Sequence, residues 1–188
     1  NFRGCVAVIT GGASGIGKAT ALAFANSGAE VVILDKDEKQ GKKVAELIGE
    51  LALFIKVDMS SSKQVRRAAE MVKRRFGKVD FLIGNAGFEI NDQGTMLTMP
   101  EKKAKSIIDV NLWGNVLLAR AFVPLMGPGG RIVFTGSIQS FTAHEPATTY
   151  QSTKSGLLGH TRSLAIDLAP DINVNIVCPG AICTTGIG

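Results

Sequence analysis

Histidine, cysteine and long apolar runs are all scarce in this sequence, and each scarcity excludes a kind of protein. The two histidines, His144 and His160, are isolated from each other and from other ligands, so no metal constellation can be built from them. The three cysteines, Cys5, Cys178 and Cys183, are odd in number and include no Cys-x-x-Cys pair. Cys5 and Cys178 also sit in apolar, strand-like runs. This excludes a disulfide frame or a zinc-thiolate site and is expected of buried or free thiols in a reducing compartment, so the expected location is the cytoplasm. Cys183, in a loop, is the one to watch for reactivity. Uninterrupted apolar runs last a few residues, far short of a membrane span of about 18. No signal peptide is recognisable. The chain opens on Asn1 rather than Met, and the expectation is that it lacks its native start.

The formal net charge is +5. Its positive residues fall on helix-like stretches, 36–43, 63–75 and 102–105, mixed with acids and without interleaved aromatics. That pattern reads as solvated helix faces rather than a nucleic-acid groove. No nucleic-acid or membrane partner is expected.

What is present is an alternation of strands and helices. The 188 residues, 45% of them hydrophobic, suffice for one domain over 1–188 with a sizeable core. Residues 5–10 (CVAVIT) are apolar, β-branched and stopped by glycine, the pattern of a buried strand. The glycine loop 11–17 (GGASGIG) follows, then a helix over 18–27. Further strands are predicted at 30–34, 51–57, 79–83, 131–135 and 172–177. Further helices are predicted at 38–49, 61–76, 101 to about 126, and about 149–168. Pro100 suits the first turn of the long helix, and 127–130 (GPGG) breaks it. The alternation predicts an α/β fold: a parallel sheet, apolar on both sides, with helices on both faces and right-handed crossovers. No domain boundary, repeat or low-complexity tract interrupts it.

The chemistry-bearing residues stand at the predicted strand ends. Between the first strand and first helix, 10–17 has the spacing TGxxxGxG. Gly11, Gly15 and Gly17 permit a tight turn and close approach of a pyrophosphate, which the helix N-terminus stabilises. Ser14 and Ile16 belong to the same loop. Asp35 closes the second strand, where a carboxylate accepts from the adenosine ribose hydroxyls and repels a 2′-phosphate. This favours NAD over NADP; a helix cap or solvated turn acid is the other use of such a residue. Lys36 could reach a 2′-phosphate, but Gly12, Ala13 and Ser14 bring no basic partner. Asp58, followed by Met59, either bonds the adenine amino group or caps the next helix. Asn85, Ala86 and Gly87 end the fourth strand beside the expected cleft, where a plain turn is the alternative. Asn111 falls inside the long helix, a usually solvated or structural place, and Gly114 behind it permits close approach or a break.

Ser137 follows the fifth strand. Tyr150 is the single tyrosine, and Lys154 lies one helical turn beyond it on the same face. An ammonium held there is expected to draw the Tyr150 phenol down toward neutral. A tyrosine acid/base beside a serine hydroxyl suits alcohol–carbonyl interconversion. Phe88, Ile90, Ile138, Phe141 and Ala143 are either pocket wall or core.

In this order, TGGASGIG, Asp35, Asp58, Asn85-Ala86-Gly87, Asn111, Ser137, Tyr150-x-x-x-Lys154 and Pro179-Gly180 through Thr184 resemble the short-chain dehydrogenase/reductase family over essentially the whole chain. The resemblance implies a Rossmann-type, doubly wound sheet and a catalytic tetrad of Asn111, Ser137, Tyr150 and Lys154. In it Lys154 also holds the nicotinamide ribose, and Asn111 positions a water linking Lys154 to solvent. Cofactor contacts are then expected from Gly11, Ser14, Gly15, Ile16, Gly17, Asp35, Lys36, Asp58, Met59, Asn85, Ala86, Gly87, Tyr150, Lys154, Pro179, Gly180, Ile182 and Thr184. The implied substrate is a small alcohol or ketone. The implied assembly is a homodimer or homotetramer through the helices at 101–126 and 149–168. Family members continue past this point with a substrate-binding helical segment and a last strand, so the chain is expected to be incomplete at its C-terminus. A dinucleotide-binding protein without turnover is the alternative expectation.

Overall fold

The structure, a computed structural model, describes residues 1–89, 95, 97–143 and 147–182. Strand β1 (Val6–Thr10) is buried at every position, as its unbroken apolar run requires. It pairs in parallel with β2 (Glu30–Asp35) on one side and β4 (Phe81–Gly84) on the other. β3 (Ala52–Lys56) extends the sheet beyond β2, and β5 (Gly130–Thr135) and β6 (Ile172–Val177) extend it beyond β4. The order is β3-β2-β1-β4-β5-β6, the doubly wound arrangement that the alternation and the family likeness predict.

Successive strand side chains point to opposite faces, so a sheet covered on both sides needs apolar residues at nearly every position. Ala7, Ile9, Val31 and Ile33 pack with Ala21 of α1 (Gly15–Asn26) and Val44 of α2 (Glu38–Ile48). On the other face, Val8, Leu34, Leu82 and Phe134 pack with Val65 of α3 (Ser62–Phe76), Leu118 of α5 (Gly114–Phe122) and Leu157 of α6 (Thr148–Asp167). Each buried Val, Leu, Ile or Phe among them contributes about 1.5–3 kcal/mol.

The helix predicted from 101 to about 126 is a succession of pieces. α4 (Glu101–Ile108) passes into a π turn, Asp109–Trp113, then into α5, and ends in a 3-10 turn, Val123–Leu125. By length and composition alone Glu101–Leu125 could cross a membrane. In this fold its Ile107, Leu118 and Phe122 are completely buried, as in a core helix. Two boundaries differ from expectation for local reasons. α1 starts at Gly15 because the last glycines of the loop already wind into the helix. β4 starts at Phe81 because the Val79 N–H is drawn to the Leu125 carbonyl, at 2.9 Å, and not to a strand.

The chain leaves β1 toward β2 and β3, then returns to the opposite side for β4, β5 and β6. At that reversal the C-terminal ends of β1 and β4 bound an open crevice. Every loop carrying a predicted site residue comes to that end of the sheet.

Candidate active site

One hydroxyl ties the loop after β1 to the loop after β4. Thr10 Oγ1 accepts from the backbone N–H groups of Asn85 and Ala86, at 2.9 Å each, and donates to the Ile83 carbonyl at 3.3 Å. Asn85 completes the clasp. Its Nδ2 donates to the carbonyls of Thr10 at 3.2 Å and Gly11 at 3.4 Å, and its Oδ1 accepts from the Thr135 hydroxyl at 3.2 Å. The ends of β1, β4 and β5 are thereby joined. Thr10 heads the glycine motif and Thr135 ends β5, but a strand-end threonine carries no mark distinguishing such a clasp from ordinary β propensity.

The clasp requires glycine around it. Gly11 has φ +66°, and a Cβ there would lie 3.0 Å from the Ala86 Cα. A Cβ on Gly17 would collide with the Gly11 carbonyl oxygen, so Gly17 serves the packing of α1 against its own loop. Ser14 N-caps α1 without a side-chain bond to it. The first-turn N–H groups ahead of Lys18 lack intrahelical partners. This is a donor set suited to a pyrophosphate.

At the far end of the crevice, Asp35 Oδ2 accepts from Ala13 N–H and Oδ1 from Asp37 N–H, both at 3.0 Å. The carboxylate is thus fixed against the glycine loop, with lone pairs left for further donors. The Lys36 ammonium lies 5.5 Å from the centre of the Phe88 ring, a cation–π contact. Asp58 Oδ1 is taken up by the N–H and hydroxyl of Ser60, at 2.9 and 2.7 Å, and Met59 beside it is buried.

At the near end, Ser137 caps the 3-10 turn Ile138–Ser140, accepting from Gln139 N–H at 3.2 Å. Ser140 sets the turn against α6: its hydroxyl accepts from Ser137 N–H at 3.3 Å and donates to the Lys154 carbonyl at 3.0 Å. This registers Ser137 with Tyr150, whose phenol the serine hydroxyl draws toward ionisation. Lys154 is buried and donates from Nζ to the Thr135 carbonyl at 2.7 Å. Burial pulls its pKa down to about 8, against the charges of Cys178 and Glu89.

The expected near-neutral Tyr150 is not found. Burial raises the phenol above its ordinary range, the bond from Ser137 pulls it back, and the Glu89 carboxylate raises it further. The Lys154 ammonium lies 5.5 Å from the ring centre and spends a short hydrogen bond on Thr135, so burial prevails.

Asn111 stands in the π turn, fully buried. Its Oδ1 accepts from Phe88 N–H at 3.0 Å and its Nδ2 donates to the Phe88 carbonyl at 2.8 Å. Its own carbonyl accepts from Asn115 Nδ2 at 2.8 Å. The side chain therefore braces the loop after β4. The π turn supplies the inward turn that brings Asn111 there, and Gly114 lets the helix approach Met59, whose carbonyl would lie 3.1 Å from an added Cβ.

These groups border one cleft of about 950 Å³. Gly11, Ser14, Gly15, Ile16, Asp35, Lys36, Asp58, Met59, Asn85, Ala86, Gly87, Ser137, Tyr150, Lys154, Pro179, Gly180 and Ile182 all line it. Gly17 and Asn111 are buried outside that lining. Phe88, Ile138 and Ala143 also line it, whereas Phe141 is exposed elsewhere. Glu89, Gln139 and Thr142 are lining residues without a sequence signal of their own. Thr184, Cys183, Ile90 and His144 lie outside the described residues. The cleft's size, its glycine floor and its uncapped helix end fit an extended dinucleotide.

The model of the short chain dehydrogenase family matches residues 5–187. The chain belongs to the short-chain dehydrogenase family. Human 3-hydroxyacyl-CoA dehydrogenase type-2 is 34% identical over 197 residues, covering 98% of this chain and 76% of that protein. Among solved structures, a 3-ketoacyl-(acyl-carrier-protein) reductase from Brucella melitensis complexed with NADH matches with TM-score 0.92 and 32% identity, covering 98% of this chain and 78% of that one. A short-chain dehydrogenase from Burkholderia cenocepacia in complex with NADP matches with TM-score 0.91 and 34% identity, covering 98% and 77%. This short-chain dehydrogenase is accordingly an oxidoreductase acting on CH–OH groups with a nicotinamide cofactor.

Proposed function

We propose that the protein interconverts a small alcohol and its ketone, with Tyr150 as the acid/base and NAD as the preferred cofactor. The observation that carries this is the Ser137–Tyr150 hydroxyl pair beside a buried Lys154, at the end of the cleft opposite Asp35. When bound, the nicotinamide supplies the hydride acceptor for oxidation and the donor for reduction. In oxidation, the Tyr150 phenolate takes the substrate hydroxyl proton. Ser137 donates to the substrate oxygen and offsets its developing charge. Lys154 places a positive charge under the site and would hold the nicotinamide ribose, although its pull on Tyr150 does not overcome burial. Asn111 keeps the loop carrying Asn85, Ala86 and Gly87 against the cleft.

The NAD preference rests on Asp35. Its carboxylate, fixed against Ala13, would face the adenosine ribose and repel a 2′-phosphate, while Lys36 is turned toward Phe88. Among the described residues Cys5 and Cys178 are free thiols, which supports a reducing, cytoplasmic setting. Exposed apolar residues on the α4–α5 and α6 helices, among them Trp113 and Ile166, support assembly into a homodimer or homotetramer.

The test is Tyr150→Phe in the full-length protein, with NAD binding and turnover measured separately. Binding should stay within a few-fold, and kcat should fall by about 10²–10⁴, the usual range for a lost general acid/base. Turnover near wild type would refute the assignment. For the cofactor, wild type should give the higher kcat/KM with NAD. Asp35→Ala should narrow the gap by about tenfold, the scale of one charge-assisted contact. A wild type that uses NADP equally well would remove Asp35 from the argument.

A further inference from the structure

The substrate end of the cleft holds polar groups beyond Ser137, Tyr150 and Lys154. Gln139 lies in the 3-10 turn beside Ser137, and its N–H is held by the Ser137 hydroxyl, so its backbone is registered to the reacting group. The residue lines the cleft, yet its side-chain oxygen Oε1 is shut off from water and has no hydrogen-bond partner. Buried polar atoms nearly always find a partner. One left alone costs about 1–3 kcal/mol. No hydrogen bond holds this oxygen where it is, and rotation about the flexible side chain would deliver it to a donor in the cleft.

Glu89 enters the same cleft from the loop after β4. Its neighbour Phe88 is held at both N–H and carbonyl by Asn111, and a Cβ on Gly87 would lie 3.6 Å from the Lys154 ammonium. Glu89 is therefore mounted on a braced segment next to the reacting pair, and its charge acts on both Tyr150 and Lys154. A carboxylate and an amide oxygen both accept hydrogen bonds. A substrate that complements them brings a second donor close to its carbinol and no negative charge there.

We propose that Gln139 and Glu89 form a second polar subsite that selects neutral vicinal diols and polyols over mono-alcohols and over 2-hydroxy acids. The inference rests on the reading of Tyr150 as the proton acceptor. One hydroxyl would lose its proton to Tyr150 Oη and its carbon a hydride, which the nicotinamide would accept, leaving an α-hydroxyketone, or a 2-hydroxylactone where the carbinol is the anomeric carbon of an aldose. The neighbouring hydroxyl keeps its proton, which it donates to Gln139. A 3-hydroxyacyl thioester has no such donor on either carbon flanking its carbinol and is a poor fit.

Matched pairs test this in the full-length protein with NAD: butane-2,3-diol against butan-2-ol, cyclohexane-1,2-diol against cyclohexanol, and an aldohexose against its 2-deoxy form. Wild type should favour the diol of at least one pair in kcat/KM by about 10–100-fold, the worth of one otherwise unpaired buried acceptor. Gln139→Leu should cut that ratio at least about tenfold. Glu89→Gln should raise the ratio of 2-hydroxy acid to diol by about tenfold, since it removes a like charge near the carboxylate. No preference for the diol in any pair overturns the proposal without recourse to a variant. An unchanged ratio in a folded Gln139→Leu protein overturns the role of Gln139. Tyr150→Phe separates the two readings: it should abolish turnover of diols and mono-alcohols alike, and if it does not, the Tyr150 reading fails and this one with it.

Discussion

Lys154 concentrates the conflict of this site in one residue. Its ammonium is needed beside Tyr150, yet it is buried, donating to the Thr135 carbonyl at 2.7 Å. Its pKa falls from the ordinary 10.5 to about 8. Below pH 8 the lysine is protonated in folded and unfolded chains alike, and the folded state carries the whole penalty. Above pH 8 the folded chain releases the proton while the unfolded chain still holds it, so stability rises with pH. The raised Tyr150 phenol acts oppositely: once the unfolded tyrosine ionises, near the ordinary 10.0, the folded chain binds more protons and stability falls. The gain is therefore confined to between about pH 8 and 10. Over that window wild type should gain about 2 kcal/mol relative to Lys154→Met in urea unfolding, from 1.36 kcal/mol per unit of pKa difference. Parallel pH dependences in the two proteins would show that the burial penalty is not expressed.

The element that decides the near end of the cleft is the π turn between α4 and α5. A regular helix over the same residues would rotate Asn111 away from the loop after β4, and Phe88 would lose both hydrogen bonds of its backbone. Asn111→Ala should remove that brace while leaving the glycine loop and Thr10 clasp intact. The expected outcome is NAD binding weakened about tenfold, each lost bond being worth about 0.5–1.5 kcal/mol, with faster amide exchange at Phe88. Unchanged exchange at Phe88 would show that the loop is held by something else. The helix itself was legible from its apolar pattern and from Pro100, but the π turn was not. A single extra residue per turn leaves the hydrophobic period nearly intact, and only the contact between Asn111 and Phe88 discloses it. The converse holds for α3. Its buried Val65, Ala68, Ala69 and Val72 and its exposed Lys63, Arg66, Arg67, Lys73, Arg74 and Arg75 follow directly from a 3.6-residue period.

For the molecule as a whole, the doubly wound sheet accounts for the core but leaves large apolar side chains in solvent. Trp113 is 49% exposed and Ile166 79%. They lie on the two helices through which self-association is proposed. Trp113→Glu combined with Ile166→Glu should lower the sedimenting mass to that of a monomer. In the wild type, the emission of the single tryptophan should shift to the blue as concentration rises. A wild-type protein that is monomeric at all concentrations, or a double variant of unchanged mass, would exclude these faces as the interface.

The sequence by itself determined the sheet, its helical cover and the roster of the cleft. Apolar strands, glycine turns and the spacing of Ser137, Tyr150 and Lys154 are local properties, and Tyr150 and Lys154 share a helix face by periodicity alone. Only the tertiary structure decided the protonation balance and the supports. Burial raises Tyr150 and lowers Lys154 because water is excluded by residues distant in the chain. Thr10 reaches Asn85, Asn111 reaches Phe88 and Lys154 reaches Thr135 because the strand order brings separate loops to one crevice. Gln139 and Glu89 acquire meaning in the same way. Neither belongs to a motif, and each is set apart by the cleft it lines: one as a buried oxygen without a partner, the other as a carboxylate beside the reacting pair.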